Sequence, residues 1–284
     1  MPELPEVEST ARTLRPRLLG RVVRCLGGVD WPRMLPNTSA DELRAALVGR
    51  TVEAVERRGK YLLLGVSDDV WLAIHRKMSG NLLLRPADAP PEPHTHLEVG
   101  FDDGSLLRFV DARKFGRVYL FGSAAERDAF LGARLGPEPL EGLDADVLAR
   151  LVRKRRGRIK SLLLDQAFVA GVGNLYADEA LWAAKLHPLR TADSLTRAEL
   201  RRLAEAITEV LTLGIERRGT SFSNYRDADD RPGDNQAFLQ VYGRESQPCP
   251  RCGTPISRIV IGGRSSHFCP HCQRPRAARR YVRR

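Results

Sequence analysis

Four cysteines near the C-terminus constrain this sequence more than any other feature. They form two pairs, Cys249 with Cys252 and Cys269 with Cys272, and sixteen residues lie between the pairs. With two residues inside each pair, this is the spacing at which four thiolates close a tetrahedral structural zinc site. The sequence therefore predicts one structural zinc ion, which replaces the apolar core that so small a unit lacks.

The segment between the two cysteine pairs alternates like a β-hairpin, TPISRIVIGGRSSHFC, with its turn at Gly262 and Gly263. His267 and His271 are close enough to be rival ligands, but four cysteines are preferred because a structural site needs no open position. Arg264 follows the turn, and no acidic residue is near. A hairpin of this kind is suited to lie beside a phosphate backbone.

The distribution of charge favours a polyanionic partner. The chain has 46 Lys and Arg against 35 Asp and Glu, a net charge of +11. Residues 153–160 carry six basic side chains, and residues 249–284 carry nine arginines with no lysine and no acid. A solvated basic surface is the alternative interpretation, but two dense clusters on an otherwise balanced chain favour nucleic acid.

Length and composition exclude several classes. With 284 residues, 42% of them hydrophobic and 29% charged, the chain is typical of a folded protein of about two domains. No apolar run approaches the ~20 residues of a membrane span. The acidic start, with Glu3, Glu6 and Glu8, is unlike a signal peptide, so we expect a cytoplasmic location. Cys25 stands apart from the other cysteines and is expected to be a buried thiol.

The pattern along the chain predicts an α+β protein. A helix is predicted over Pro5–Leu19, and short β-rich runs follow until about Phe121. We expect an N-terminal β-sandwich domain with flanking helices over residues 1–134 and a linker over 135–146. A helical domain is predicted over 147–237 and the zinc unit over 238–284. The polar stretch 219–234 is expected to be a mobile loop.

The N-terminus is a chemical group of interest. Removal of Met1 would expose the secondary amine of Pro2. An α-amine has a pKa of ~7.7–8, against ~10.4 for lysine, so a useful fraction is neutral near pH 7. Such an amine can attack a sugar carbon and form an iminium, with Glu3 as candidate general acid. An acidic helix start without chemistry is the alternative.

Several segments together resemble the formamidopyrimidine-DNA glycosylase and endonuclease VIII family of bifunctional base-excision-repair enzymes. They occur in family order along nearly the whole chain: PELPEVE, GKYLLL, HRKMSG, DARKFG, IKSLLLDQ, GVGNLYADEAL, VYGRESQPCPRCG and GGRSSHFCPHCQR. The resemblance implies a helix-two-turn-helix element before a zinc-finger hairpin. It also implies a partner, damaged double-stranded DNA, a nucleoid-associated location and a monomer.

The same resemblance assigns catalytic roles. Pro2 would attack C1′ of the damaged nucleotide and Glu3 would protonate the sugar ring oxygen. Lys60 would assist β-elimination and Arg264 δ-elimination. From the residues alone, an ordinary strand-end cation in GKYLLL is the favoured interpretation of Lys60. One phosphate contact among many is the alternative for Arg264, and Glu6 is expected to order the N-terminus more than to transfer protons.

Further residues would bind DNA by resemblance. A base must leave the stack before chemistry, and Met78, Arg113 and Phe115 would fill the space that it vacates. Read alone, Met78 and Phe115 are more often core residues, but the adjacent glycines make exposure plausible.

Phosphate contacts are implied for four residues. Asn174, in the GVGNLY segment, would contact phosphates around the flipped nucleotide, and His94, Arg155 and Lys160 would add further contacts. For His94, an ordinary surface histidine is the alternative, and Arg155 is hard to separate from its basic neighbours.

The PELPEV opening favours oxidised purines, 8-oxoguanine and formamidopyrimidines, because the endonuclease VIII branch usually opens with PEGPE. Oxidised pyrimidines are the alternative substrate, and a non-catalytic zinc DNA-binding protein is the alternative from another class. Lys114 and Ser266 depart from the usual arginine and threonine; both keep charge or hydroxyl, so little loss of activity is expected.

Overall fold

The computed structural model describes residues 2–153, 155–222 and 225–275. The chain divides into two compact units. The first comprises Met1–Leu135 and Thr212–Phe238, and the second comprises Gly136–Leu211 and Leu239–Arg284. Residues 212–238 thus pack with the N-terminal part of the chain, although they are far from it in sequence. The predicted linear division into three domains and a linker stays a prediction.

In its described residues, the first unit holds eight strands and three complete α-helices. In chain order they are α1 (Leu4–Leu18), β1 (Val23–Gly27), α2 (Ala40–Leu47), β2 (Val52–Arg58), β3 (Tyr61–Val66), β4 (Val70–His75), β5 (Asn81–Pro86), β6 (Thr95–Phe101), β7 (Ser105–Val110), β8 (Arg117–Phe121) and α3 (Ala124–Gly132).

Two four-stranded antiparallel sheets form the body of this unit. Their strand orders are β1-β6-β7-β5 and β2-β3-β4-β8. Helix α1 and both sheets contribute to one core of buried apolar side chains, among them Leu14 on α1, Leu62 on β3 and Leu107 on β7. Burial of a shared apolar face is the main stabilising contribution to such a layered arrangement. The predicted N-terminal β-sandwich with flanking helices is confirmed.

Local sequence explains where α1 begins. Pro5 lies in the first turn, where its missing N–H leaves no hydrogen bond unmade. Val7, Leu14 and Leu18 recur at helical spacing and are fully buried. The helix predicted over Pro5–Leu19 is therefore present, and its buried face directs the start of the chain into the core.

The described part of the second unit holds helices and one strand pair. Its elements are α4 (Ala145–Val152), α5 (Ile159–Leu164), α6 (Asn174–Ala183), the greater part of α7 (Arg197–Glu216), β9 (Ser257–Ile261) and β10 (Arg264–Phe268). Strands β9 and β10 pair antiparallel, with Arg264 opposite Ile261. The predicted hairpin turn at Gly262 and Gly263 is confirmed, and both glycines have positive φ, which suits a tight turn.

One expectation about the cysteines is wrong. Cys25 is exposed rather than buried, because β1 is a strand at the edge of its sheet and only Val23 and Leu26 of its side chains are buried. In the described ranges, no helix has the length and apolar character needed to cross a membrane.

Candidate functional site

The start of the chain is fixed by a buried carboxylate. Glu6 is 3% exposed and its two oxygens have different partners. Oε2 accepts the backbone N–H of Glu3 at 2.8 Å, and Oε1 accepts that of Thr220 at 2.7 Å. Glu6 therefore ties the backbone beside Pro2 to a segment 214 residues away, which agrees with the ordering role expected for it. Pro2 and Glu3 are themselves buried.

Lys60 lies in the two-residue turn between β2 and β3 and is 4% exposed. The sequence placed it in the strand; the structure places it immediately before β3. Arg57 fixes this turn, because its Nη1 donates to the Gly59 carbonyl at 3.2 Å and its Nε donates to Glu8 on α1 at 3.1 Å. An ordinary strand-end lysine would be solvated, so the burial of Lys60 favours a functional lysine over a strand-end cation.

A half-buried histidine lies near this lysine. Burial first, and then the charges of Lys77 and Lys60, lower the pKa of His75 to about 3. His75 is therefore neutral at pH 7. Its Nδ1 accepts the backbone N–H of Lys77 at 3.0 Å, at the start of the turn that leads to Met78.

Met78 is 38% exposed at the turn between β4 and β5. The base of this turn is held by Arg76, a buried side chain whose Nε donates to the Gly80 carbonyl at 2.7 Å. Its Nη1 donates to the Thr10 hydroxyl at 2.7 Å. The turn is thus anchored to α1 while its methionine faces outward, as the SG context predicted.

The turn between β7 and β8 carries Arg113 and Phe115. Phe115 is 42% exposed, and the Arg113 guanidinium lies 4.6 Å from the centre of its ring. Asp111 organises this turn: its carboxylate accepts the backbone N–H groups of Arg113, Phe115 and Gly116 at 3.2, 2.9 and 2.7 Å. The two exposed side chains therefore stand on a rigid base.

Asp111 also joins the two turns, because its Oδ1 accepts the Ser79 hydroxyl at 2.5 Å. Its backbone N–H donates to the carbonyl of His94 at 3.0 Å, so His94, whose side chain is exposed, lies beside the same turn. A Cβ on Gly80 or Gly116 would come within 2.7 or 2.2 Å of the Phe109 ring. The exposed side chains of Met78, Arg113 and Phe115 consequently stand on two turns that Asp111 joins, and the backbone of His94 lies beside them.

In the second unit, helix α6 begins at Asn174. The side-chain Nδ2 of Asn174 donates to the Ser265 hydroxyl at 3.4 Å. The preceding Gly171 has φ +82°, a conformation that favours glycine, and its N–H donates to the Gln166 side chain at 3.0 Å. Arg155 is exposed, 3.8 Å from Asp165, an ion pair that solvent weakens.

Lys160 is fully buried on helix α5. Its Nζ donates to Asp178 Oδ1 at 2.5 Å and to the Asn174 carbonyl at 2.8 Å. The phosphate contact expected of Lys160 stays a prediction, and the structure shows an ammonium bonded within the protein beside Asn174.

The four cysteines form a cluster with metal-binding geometry. Their Sγ atoms all lie within 4.8 Å of one another, and those of Cys252 and Cys269 are 3.5 Å apart. Four sulfurs around a zinc ion at about 2.3 Å require separations of this order. Among the described residues, neither candidate histidine belongs to the cluster; His267 Nδ1 lies 3.2 Å from Asp178.

The thiols of this cluster differ in how readily they ionise. Hydrogen bonding with Thr254 lowers the pKa of Cys252 to about 6, which favours its thiolate. Burial first, and then the neighbouring thiols, raise the pKa of Cys272. The group therefore resists full ionisation by itself, and a divalent cation would relieve the repulsion between thiolates.

Arg264 begins β10 and is exposed at the tip of the hairpin. Of the two departures from the family pattern, Ser266 is fully buried in β10, and Lys114 lies 3.8 Å from Asp30 with φ +56°.

Comparison with known proteins agrees with this geometry. A formamidopyrimidine-DNA glycosylase from Herpetosiphon aurantiacus is 47% identical over 262 residues, which cover 92% of this chain and 95% of that protein. Three family models match in order: the formamidopyrimidine-DNA glycosylase N-terminal domain at residues 1–118, its H2TH domain at 135–226, and a zinc finger found in FPG and IleRS at 246–275. The chain belongs to the formamidopyrimidine-DNA glycosylase family. Its enzyme class is DNA glycosylase with AP lyase activity.

Solved structures of family members superpose closely. A mutant of Lactococcus lactis FPG, in complex with DNA containing Fapy-dG, has a TM-score of 0.90 and 40% identity, covering 96% of this chain and 100% of that one. A structure of MutM in complex with DNA containing carbocyclic 8-oxo-G has a TM-score of 0.89 and 39% identity, with the same coverage. The predicted fold class, with helix-two-turn-helix and zinc-finger parts, is confirmed by these matches.

Sequence reasoning missed the buried acids that hold these groups in place. Asp111, Asp178 and Glu179 each lie inside a segment that resembles the family, yet nothing in their local pattern distinguishes them from solvated acids. Glu179, for example, accepts the backbone N–H groups of Gln240, Val241 and Tyr242.

Proposed function

We propose that this chain flips out and excises oxidised purines, 8-oxoguanine and formamidopyrimidines, and then cleaves the DNA strand by β,δ-elimination. The observation that carries the proposal is the engagement of both Glu6 oxygens, by Glu3 and by Thr220. It holds the backbone at Glu3, next to Pro2, in place, which supports the fixed geometry that a nucleophile and its acid require.

In the proposed reaction, the Pro2 nitrogen forms a bond to C1′ and the bond from C1′ to the ring oxygen breaks. Glu3 gives its proton to that oxygen. After the amine loses its own proton, the nitrogen lone pair forms the iminium while the glycosidic bond breaks and the base leaves with the bonding electrons. Helix α1 begins beside Pro2, and its positive end favours the neutral, nucleophilic amine.

The iminium acidifies the C2′ protons, and Lys60 is proposed to assist their removal, with loss of the 3′ phosphate in β-elimination. Arg264 is proposed to assist the δ-elimination that releases the 5′ phosphate. A single-nucleotide gap with phosphate at both ends results. Burial of Lys60 supports its part, because a lysine that only solvates a strand end is seldom buried.

Lesion recognition is proposed to use the surface that Asp111 organises. Met78 and Phe115 would enter the duplex and Arg113 would face the orphaned base. Apolar wedges of this kind offset the cost of unstacking, a few kcal/mol. The two solved complexes with Fapy-dG and 8-oxo-G DNA support purine lesions, and oxidised pyrimidines are the alternative.

Phosphate contacts are proposed for Asn174, His94, Arg155 and Lys160, so binding should weaken steeply with salt. We further propose one structural zinc ion per chain on the four cysteines, and action as a monomer, which sedimentation on a damaged duplex would check.

The test compares Pro2→Gly and Glu3→Gln with the wild type on an 8-oxoguanine·cytosine duplex, and Pro36→Gly, an exposed turn proline, serves as control. Pro2→Gly should lose strand nicking with duplex binding kept. Glu3→Gln should slow excision by roughly 10²- to 10⁴-fold, the usual contribution of a general acid. Unchanged nicking in Pro2→Gly would contradict the proposal, and turnover of thymine glycol alone would favour the pyrimidine alternative.

A further inference from the structure

The proposed reaction gives no role to a buried carboxylate that connects several elements of the second unit. Asp178 lies on helix α6 and its side chain is fully buried. Oδ1 accepts the Lys160 ammonium at 2.5 Å. Oδ2 accepts the backbone N–H of His267 on β10 at 2.9 Å and lies 3.2 Å from that residue's Nδ1.

The same group reaches the start of α6. The Lys160 ammonium that Asp178 binds also donates to the Asn174 carbonyl at 2.8 Å. Asn174 in turn donates from its side chain to Ser265 on β10, at 3.4 Å. Asp178 therefore joins helix α5, the first residue of α6 and the second strand of the zinc hairpin in one hydrogen-bonded network.

This network fixes the strand that carries Arg264. Residues 265 and 267 are both held against α6, and Arg264 immediately precedes them in β10. Because β10 pairs along its whole length with β9, a displacement at His267 would be transmitted to the turn. Bonds from a charged donor to a buried carboxylate are short and strong, so they define position as well as contribute energy.

Glu179, the next residue, anchors the other side of the zinc unit. Its carboxylate is buried and accepts three successive backbone N–H groups, those of Gln240, Val241 and Tyr242, at 2.8–2.9 Å. Glu179 therefore anchors the chain where it enters the zinc unit, whereas Asp178 anchors the strand that carries Arg264.

We propose that Asp178 is a positioning residue for the δ-elimination step, holding β10 so that Arg264 stands at a fixed distance from Asn174 at the start of helix α6. This inference rests on the role proposed above for Arg264. It predicts that loss of the Asp178 carboxylate impairs δ-elimination selectively, since base excision and β-elimination depend on Pro2, Glu3 and Lys60 in the other unit.

The experiment uses the full-length zinc protein on a duplex with a preformed abasic site, on which the β and δ products separate by gel electrophoresis. Asp178→Asn, nearly identical in shape, should lower the ratio of δ to β product by about tenfold or more, because a misplacement of about 1 Å can cost 10²-fold. Zinc content and borohydride trapping should stay within about twofold of the wild type, since the cysteines and Pro2 are untouched. Asp178→Glu should restore part of the ratio.

Two further variants keep the test decisive. Asp193→Asn, at an exposed aspartate of the same unit, should leave the ratio unchanged. Because Asp178→Asn removes a carboxylate that the buried Lys160 ammonium contacts, the double variant Lys160→Gln, Asp178→Asn removes both charges together. A double variant that retains zinc should show the same low ratio.

The possible results distinguish an error in the role of Asp178 from an error in the role of Arg264. A wild-type ratio in a zinc-loaded Asp178 variant overturns the inference. This includes an equal loss of β-elimination and δ-elimination, which would mark Asp178 as merely structural. Arg264→Gln is measured alongside. If Arg264→Gln keeps δ-elimination, the proposed role of Arg264 is wrong and the inference falls with it. If that variant loses δ-elimination while Asp178→Asn does not, only the inference is wrong.

Discussion

In the first compact unit, helix α1 and two sheets bury one continuous set of apolar side chains. Among the described residues of the zinc-bearing part of the second unit, very few apolar side chains are buried. Its cluster consists of Val241, Ile256 and two of the cysteines, with Trp182 and Cys272 packed at the side. The first region positions Lys60 and Met78 on turns of a stable core. The second positions Arg264 through thiols and buried carboxylates, which are few and individually important.

Metal removal should have the largest effect. We expect about one zinc per chain, and a chelator should unfold residues 249–272 and abolish tight DNA binding, since structural zinc sites contribute about 10–16 kcal/mol. Hydrogen exchange should show loss of protection in β9 and β10 and retained protection in β3 and β4. Cys25→Ala, at the exposed cysteine outside the cluster, is the control and should bind zinc normally. Duplex binding that survives chelation would contradict this expectation.

A cavity in the first unit should have the next largest effect. Leu62 is fully buried on β3, and Leu62→Ala should lower the free energy of unfolding by about 2–5 kcal/mol. Leu19→Ala, at a residue 44% exposed, should change it little. Denaturant unfolding measures both. Because the zinc cluster has its own anchors, zinc content should not change in either variant, and loss of zinc in Leu62→Ala would break the comparison.

Asp111 is a buried carboxylate in the unit whose core is apolar. It tests whether that unit, like the zinc unit, also depends on single buried polar groups. Asp111→Asn disturbs four accepted hydrogen bonds and should lower the free energy of unfolding by about 1–3 kcal/mol. Selectivity for the base opposite the lesion should also fall, since the Arg113 turn loses its support. Asp128→Asn, on the exposed face of α3, is the matched control. Unchanged selectivity would show that the turn holds its shape unaided.

The smallest effect concerns an ion pair of the second unit. Burial raises the pKa of Glu199, but hydrogen bonds from Arg190 and Thr196 outweigh it and lower the pKa to about 2. A lowered folded-state pKa stabilises the protein above pH ~4.5, and this contribution is lost as pH falls toward 2. The melting temperature of Glu199→Gln should therefore lie below that of the wild type at pH 7, with the gap closing in acid. A gap that is constant with pH would argue against this cause.

Helices, turns and the cysteine cluster could be predicted where residues close together in the sequence carry the pattern. The spacing of Val7, Leu14 and Leu18 predicted α1, and two cysteine pairs predicted the cluster and its hairpin. The turns with Met78 and Phe115 were read from neighbouring glycines, and the exposure of both side chains is confirmed, although their DNA contacts stay predictions.

The anchors were not predictable because their partners are distant in sequence. Glu6 meets Thr220, and Asp178 meets His267, 89 residues away. The periodicity of apolar residues along the sequence does not reveal contacts between residues so far apart. Residues 219–234 were expected to form a mobile loop; in the described part, Asp227 accepts the N–H groups of Asp229 and Arg231, and residues 223 and 224 lie outside the described residues.

The central claim is that Pro2, next to the Glu3 backbone that Glu6 holds, is the nucleophile. Borohydride trapping on an 8-oxoguanine·cytosine duplex, followed by mass mapping of the cross-linked peptide, tests it most directly. We expect a cross-link at the nitrogen of Pro2 in a chain without Met1. A cross-link at Lys60, or no cross-link despite salt-sensitive binding to that duplex, would contradict the claim.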